Sequence, residues 1–176
     1  MKLVLGVLCS VALVLVVLYP NLYLGAVQVR NEMAGLDTLI DPHDPYVHLV
    51  GEQLRITGES PESWVARSIT WQSDYDTYGN LEYWARPGET IVAGKGDCED
   101  RAILTASLNE YLSLDAKVVV QLDHVYVEKD GQAYFGVSET ETVRGLVWGI
   151  VTGIPPLRKI IIVAGLAAIW AKAVRP

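Results

Sequence analysis

Gly96-Asp97-Cys98-Glu99-Asp100 is the stretch on which the fold turns. It sets one cysteine among polar neighbours where a loop gives way to an apolar-periodic run. Ala102, Ile103, Ala106, Leu108, Tyr111 and Leu112 supply that run, which predicts an α-helix with Asp97 as its cap. A thiol at a helix start lies beside unpaired backbone N–H groups and the positive end of the helix dipole, and both favour the reactive thiolate. The neighbouring carboxylates oppose this by like-charge repulsion, so activation falls to the helix end and to a nearby base. His124 opens an expected strand and can take the thiol proton, then return it to a leaving group. A merely buried cysteine needs no such acidic neighbours, so Cys98 reads as functional rather than as a small core residue.

Working outward, Lys117 to Leu122 and His124 to Lys129 are β-branched runs. Asp130-Gly131 then predicts a two-residue hairpin leading into Gln132 to Val137. Upstream, Asp44-Pro45 and Ser60-Pro61-Glu62 each read as a capped helix start with proline at the first position. Trp71 to Gly88, rich in Asp, Tyr, Asn, Gly and Pro, reads as an ordered loop covering something. Helices followed by an antiparallel hairpin make an α+β domain.

The chain has 176 residues, with long apolar stretches at both ends. The expected organisation is a transmembrane anchor over 1–29, one compact domain over 30–142, and a hydrophobic membrane-associated segment over 143–176. A net charge of −7 argues against nucleic acid, which requires a basic surface. Cys9 lies in the first apolar run, so a disulfide to Cys98 is not expected, and no Cys-x-x-Cys zinc pair exists. His43 and His48 with Asp41 and Asp44 read as loop and cap residues rather than metal ligands. Asp97, Glu99, Asp100 and Asp123 lack the spacing of a calcium loop. No metal or cofactor is therefore expected.

From Leu3 to Val29 there is no charged side chain, a run longer than the roughly 20 residues a bilayer core needs. An uncleaved anchor is favoured over a signal peptide, because no Ala-x-Ala site follows it. At the other end, Pro155-Pro156 and Arg158-Lys159 interrupt the apolar pattern. A short second span from about Leu157 to Val174, a re-entrant hairpin and a partner-binding helix all fit. Lys2, Lys172 and Arg175 lean the domain toward the extracytoplasmic side, whereas Arg30 and Arg144 pull the other way.

The run Tyr75-Asp76 … Tyr78-Gly79 … Glu82-Tyr83-Trp84 … Pro87 … Glu89-Thr90 … Gly94-Lys95-Gly96-Asp97-Cys98-Glu99-Asp100, then Ala102-Ile103-Leu104 and Ser107-Leu108, resembles the transglutaminase-like superfamily. The small archaeal and bacterial members are the nearest in pattern, and the likeness covers roughly residues 44 to 140. It implies a papain-like core of helices packed on a small antiparallel sheet, with Cys98 as nucleophile, His124 as base and an acid on the next strand. It also implies acyl transfer from a peptide or protein amide.

The acid is where this chain departs from that pattern. Val137-Ser138-Glu139-Thr140 stands where such proteins carry an Asp. If Asp130-Gly131 is a two-residue loop, Lys129 pairs with Gln132, His124 with Val137, and Glu139 shares the face of His124. A longer loop would bring Ser138 there instead. Glu139 is the chosen third member, orienting the imidazole. Oxyanion donors are expected from the Cys98 backbone N–H and from Trp71 or Trp84. A non-catalytic module that binds a peptide or protein at the membrane remains the alternative.

Overall fold

The structure is a computed structural model and describes residues 2–121, 124–134 and 154–174. It begins with the apolar helix α1 (Lys2–Leu18) and with α2 (Leu22–Ala34), apolar in its first half only, followed by a 3-10 turn at Leu36–Leu39. The compact part runs α3 (Pro45–Thr57), α4 (Pro61–Ser68), β1 (Thr70–Trp71), α5 (Asp74–Thr77), α6 (Pro87–Ala93), β2 (Lys95–Gly96) and α7 (Cys98–Tyr111). It continues as β3 (Lys117–Gln121), β4 (His124–Lys129) and β5 (Gln132–Tyr134), and α8 (Pro156–Ala173) closes the described chain. The class is α+β, mostly helical with small sheets.

Local chemistry sets the element ends. Asp44 accepts hydrogen bonds from the Tyr46 and Val47 N–H groups and starts α3, which ends at Gly58 in the left-handed region. Ser60 caps α4 through the Ser63 N–H. Asp130 and Gly131 both take positive φ, the requirement of a type I′ hairpin, and Lys129 pairs with Gln132 as that turn demands. β3 and β4 pair antiparallel from Lys117↔Glu128 to Gln121↔His124. β1 and β2 form a separate parallel bridge, Thr70↔Lys95 and Trp71↔Gly96.

α7 is the axis of the domain. On one side Leu104 and Leu108 pack with Val47, Leu54, Val65 and Ile69 of α3, α4 and the residue after α4. On the other, Ala102 and Ile103 pack with Val125 and Val127 of β4 and with Leu36 and Leu39. Burial is therefore continuous from Ala102 to Asn109, wider than the stripe expected from periodicity. Of its polar members, the Thr105 and Ser107 hydroxyls donate to carbonyls one turn back, at 2.7 and 2.8 Å, and the Asn109 amide donates to Glu62 of α4 at 2.8 Å.

The first apolar run is not one rod. It breaks at Tyr19-Pro20-Asn21, where Asn21 caps α2 through the Leu24 N–H, and α1 and α2 are bent by 95°. The apolar run expected over 1–29 is thus built as two helices meeting at a sharp bend. Among the described residues no single helix is long and apolar enough to cross a membrane, although α1 and α2 together satisfy length and composition.

Candidate active site

Cys98 is the first residue of α7, placed there by β2, whose Gly96 accepts from the Gln72 N–H at 3.2 Å. Gly96 is required by close approach, since a Cβ on it would meet the Asp100 Cβ at 2.7 Å. Asp97 occupies the cap position, yet its side chain makes no capping hydrogen bond, which corrects the expected role. The Cys98 thiol is half-buried and donates to Glu99 Oε2 at 2.7 Å. Burial pushes its pKa well above the usual thiol range, and the Glu99 charge adds to this. The opposing influence is the Val125 backbone N–H, directed at the sulfur.

That contact brings the start of β4 to the nucleophile, since His124 is the residue before Val125. His124 is the first residue of β4, paired with Gln121. Glu139 and Ser138 lie outside the described residues. Trp71 is exposed, and the Trp84 indole N–H donates to Glu82 Oε1 at 3.0 Å, so that indole is already engaged.

Behind the thiol stands a group of buried carboxyls whose meeting could not be read from spacing. Glu82 hydrogen-bonds to Glu99, and burial first, then that bond and the Glu99 charge, raise its pKa to about 9. At neutral pH Glu82 therefore keeps its proton and donates it to Glu99. Trp84 thus donates to Glu82, and Glu82 and the Cys98 thiol both donate to Glu99. Asp74 accepts from the Tyr83 N–H and Asp100 from the Ala85 N–H at 2.8 Å, and these bonds shape the loop over the site. Burial and mutual repulsion push Asp74, Asp97 and Asp100 above the ordinary carboxylate range.

Asp74 Oδ1, Asp97 Oδ1 and Asp100 Oδ2 are buried with no hydrogen-bond partner. One oxygen from each of these residues lies within 4.8 Å of the others. Such a set could hold a hard cation. Asp74 joins Asp97 and Asp100 only through tertiary structure, and Asp123 lies outside the described residues. His43 and His48 take no part: Asp41 Oδ1 accepts from the His43 N–H, and His48 packs edge-on against Tyr111.

The 74–85 loop is fastened from α2. Gln28 Oε1 accepts from the Trp84 N–H at 2.8 Å, and Asn31 Nδ2 donates to the Trp84 carbonyl at 3.3 Å. Asn80 pairs reciprocally with the Asn21 backbone at 3.1 and 3.0 Å. Sequence reading missed these residues, because Gln28 and Asn31 sit beside Arg30 and Glu32 in α2 and so read as part of a solvated face. Comparison with protein-family models, with curated proteins and with solved structures finds no match.

Proposed function

We propose that this protein is a transglutaminase-like thiol enzyme that attacks amide carbonyls of a peptide or protein through Cys98. The observation that carries the reading is a thiol at a helix start that receives a backbone hydrogen bond from Val125, near the beginning of β4. In the proposed cycle His124 takes the thiol proton and sulfur attacks the carbonyl carbon. The tetrahedral oxyanion is held by backbone N–H groups at the start of α7. Collapse breaks the C–N bond, and the imidazolium gives its proton to the departing amine. Water then hydrolyses the thioester, with His124 as base; hydrolysis is preferred to amine transfer because water needs no dedicated acceptor site. Glu139 would orient the imidazole, and no cofactor enters.

The resting arrangement departs from a primed thiolate, because burial first, and then the Glu99 charge and hydrogen bond, hold the thiol protonated. This favours a second reading, a non-catalytic module that keeps the fold to bind a peptide or protein partner. Iodoacetamide labelling separates the two. For the enzyme, Cys98 alkylation near neutral pH slows sharply in His124→Ala. For the binding module, it proceeds at the rate of an ordinary thiol and is unchanged by that substitution.

A further inference from the structure

α1 and α8 pack against each other, and the end that carries Leu18 and Arg158 is bonded to the domain. Gly6 lies beside Ala173, where an added Cβ would come within 3.2 Å, and Gly165 lies against Leu13, so the two helices run antiparallel. Small residues at the seam let the backbones approach closely, as in helix pairs that have no water to drive them together. Outside that seam the pair is apolar and open: Leu8, Val16, Ile160 and Val163 are each more than half exposed, at 62, 56, 64 and 68 %. In α1 the one buried residue is Gly6, and in α8 there is none.

Charge sits only near the ends. Lys2 and Lys172 share the far end, while Arg158 and Lys159 stand at the near end, and no charged residue falls between in either helix. Trp170 lies beside the far lysines and Tyr19 just beyond the near end of α1, the amphipathic rings expected at two lipid–water boundaries. The near end is tied to the domain: Arg158 donates to the Gly79 carbonyl at 2.7 Å and its guanidinium stacks over the Tyr75 ring, while the Leu81 N–H donates to the Leu18 carbonyl at 2.9 Å.

We propose that α1 and α8 form a bilayer-inserted hairpin, with Lys2 and Lys172 at the far headgroup boundary and Arg158 and Lys159 at the near one. The helices have 17 and 18 residues, about 26 Å of rise, slightly short of a ~30 Å hydrocarbon core. Neither crosses alone by length and composition; as a pair, lysine side chains reaching outward and local thinning of the lipid close the gap. The basic ends complement anionic headgroups. The near boundary then runs beside the 75–84 loop, whose Glu82 is two hydrogen bonds from the Cys98 sulfur, so the polar domain is seated on the lipid surface. This inference does not depend on whether Cys98 is catalytic.

Cys9 lies exposed on α1 and is a built-in probe. The full chain carrying Cys98→Ser, spin-labelled at Cys9, is placed in vesicles of phosphatidylcholine with one part in five phosphatidylglycerol. The label is expected to lose its collisions with an aqueous nickel chelate and to gain collisions with oxygen. Persistence of the nickel collisions in vesicles overturns the proposal. So does a lipid-free oligomer that shields Cys9 equally well, because a second copy would then be the occupant. The wild-type chain is also expected to float with the vesicles after alkaline washing, and Leu8→Asp to lower the bound-to-free ratio about a hundredfold. A water-facing surface would tolerate that aspartate, and unchanged flotation would overturn the proposal independently of the label.

Discussion

The Cys98 thiol donates its hydrogen to Glu99 Oε2 at 2.7 Å, so the candidate nucleophile is held by the residue that follows it in the chain. Glu99 is in turn hydrogen-bonded by Glu82. The sulfur is thus restrained from behind by two carboxyls, while its other approach faces the Val125 N–H.

Glu99→Gln removes the nearest negative charge and the strongest acceptor for the thiol proton. Alkylation of Cys98 by iodoacetamide at pH 7 should accelerate about tenfold. An unchanged rate would assign the thiol's suppression to burial alone.

Stability should fall as pH rises. Glu82 has its pKa raised from 4.5 to about 9, and Asp74, Asp97 and Asp100 shift the same way. The folded protein therefore keeps protons that the unfolded chain has already released. This contribution is complete below the unfolded values, near pH 4, and declines as Glu82 titrates near pH 9 and Asp74 near pH 10. Thermal melts from pH 5 to pH 9 should show a monotonic drop in Tm. A rise in Tm over that interval would mean that the cluster holds no excess protons.

Asp100→Asn and Asp100→Ala should part company. The amide keeps an oxygen for the Ala85 N–H and removes one buried charge, so the Tm at pH 8 should rise and its pH slope flatten. The alanine leaves that N–H buried and unpaired, which costs about 1–3 kcal/mol. Chemical denaturation of both variants at pH 8 measures the difference.

Lys129 at the end of β4 reaches Glu62 of α4 at 3.3 Å and Asn109 of α7 at 3.0 Å, within a largely buried polar group. Burial alone would raise the Glu62 carboxyl; hydrogen bonding from Asn109 and the Lys129 charge hold it below the ordinary value. Lys129→Ala removes one partner from this group and should destabilise the domain by about 3–5 kcal/mol in urea titration. A loss under 1 kcal/mol would show that water replaces the ammonium.

The elements legible in the chain were those with their own local chemistry. Asp44-Pro45, Ser60-Pro61 and Asp130-Gly131 announce two helix starts and a hairpin without help from distant residues. The Cys98 helix declares itself by periodicity, though its full burial does not, because separate clusters pack against Leu104 on one side and Ile103 on the other. α6 was hidden in a Gly- and Pro-containing loop, with Glu89 accepting from the Arg86 N–H as its quiet start signal. The β1–β2 bridge joins segments far apart in sequence through a single pair of contacts, too short to leave a pattern. The carboxyl group behind Cys98 was illegible for a similar reason, since Asp74 and Glu82 reach it only through the folded loop. The break at Pro20 was in plain view, but unbroken hydropathy masked it.

The stitching of Asn21, Gln28 and Asn31 to residues 80–84 bears on how this protein can be handled. Trimming away the first 34 residues to obtain a more tractable fragment would strand the Asn80 amide and both main-chain groups of Trp84. The flap carrying Glu82 would lose its moorings, and a shortened product would report on a different thiol from the one the whole polypeptide builds.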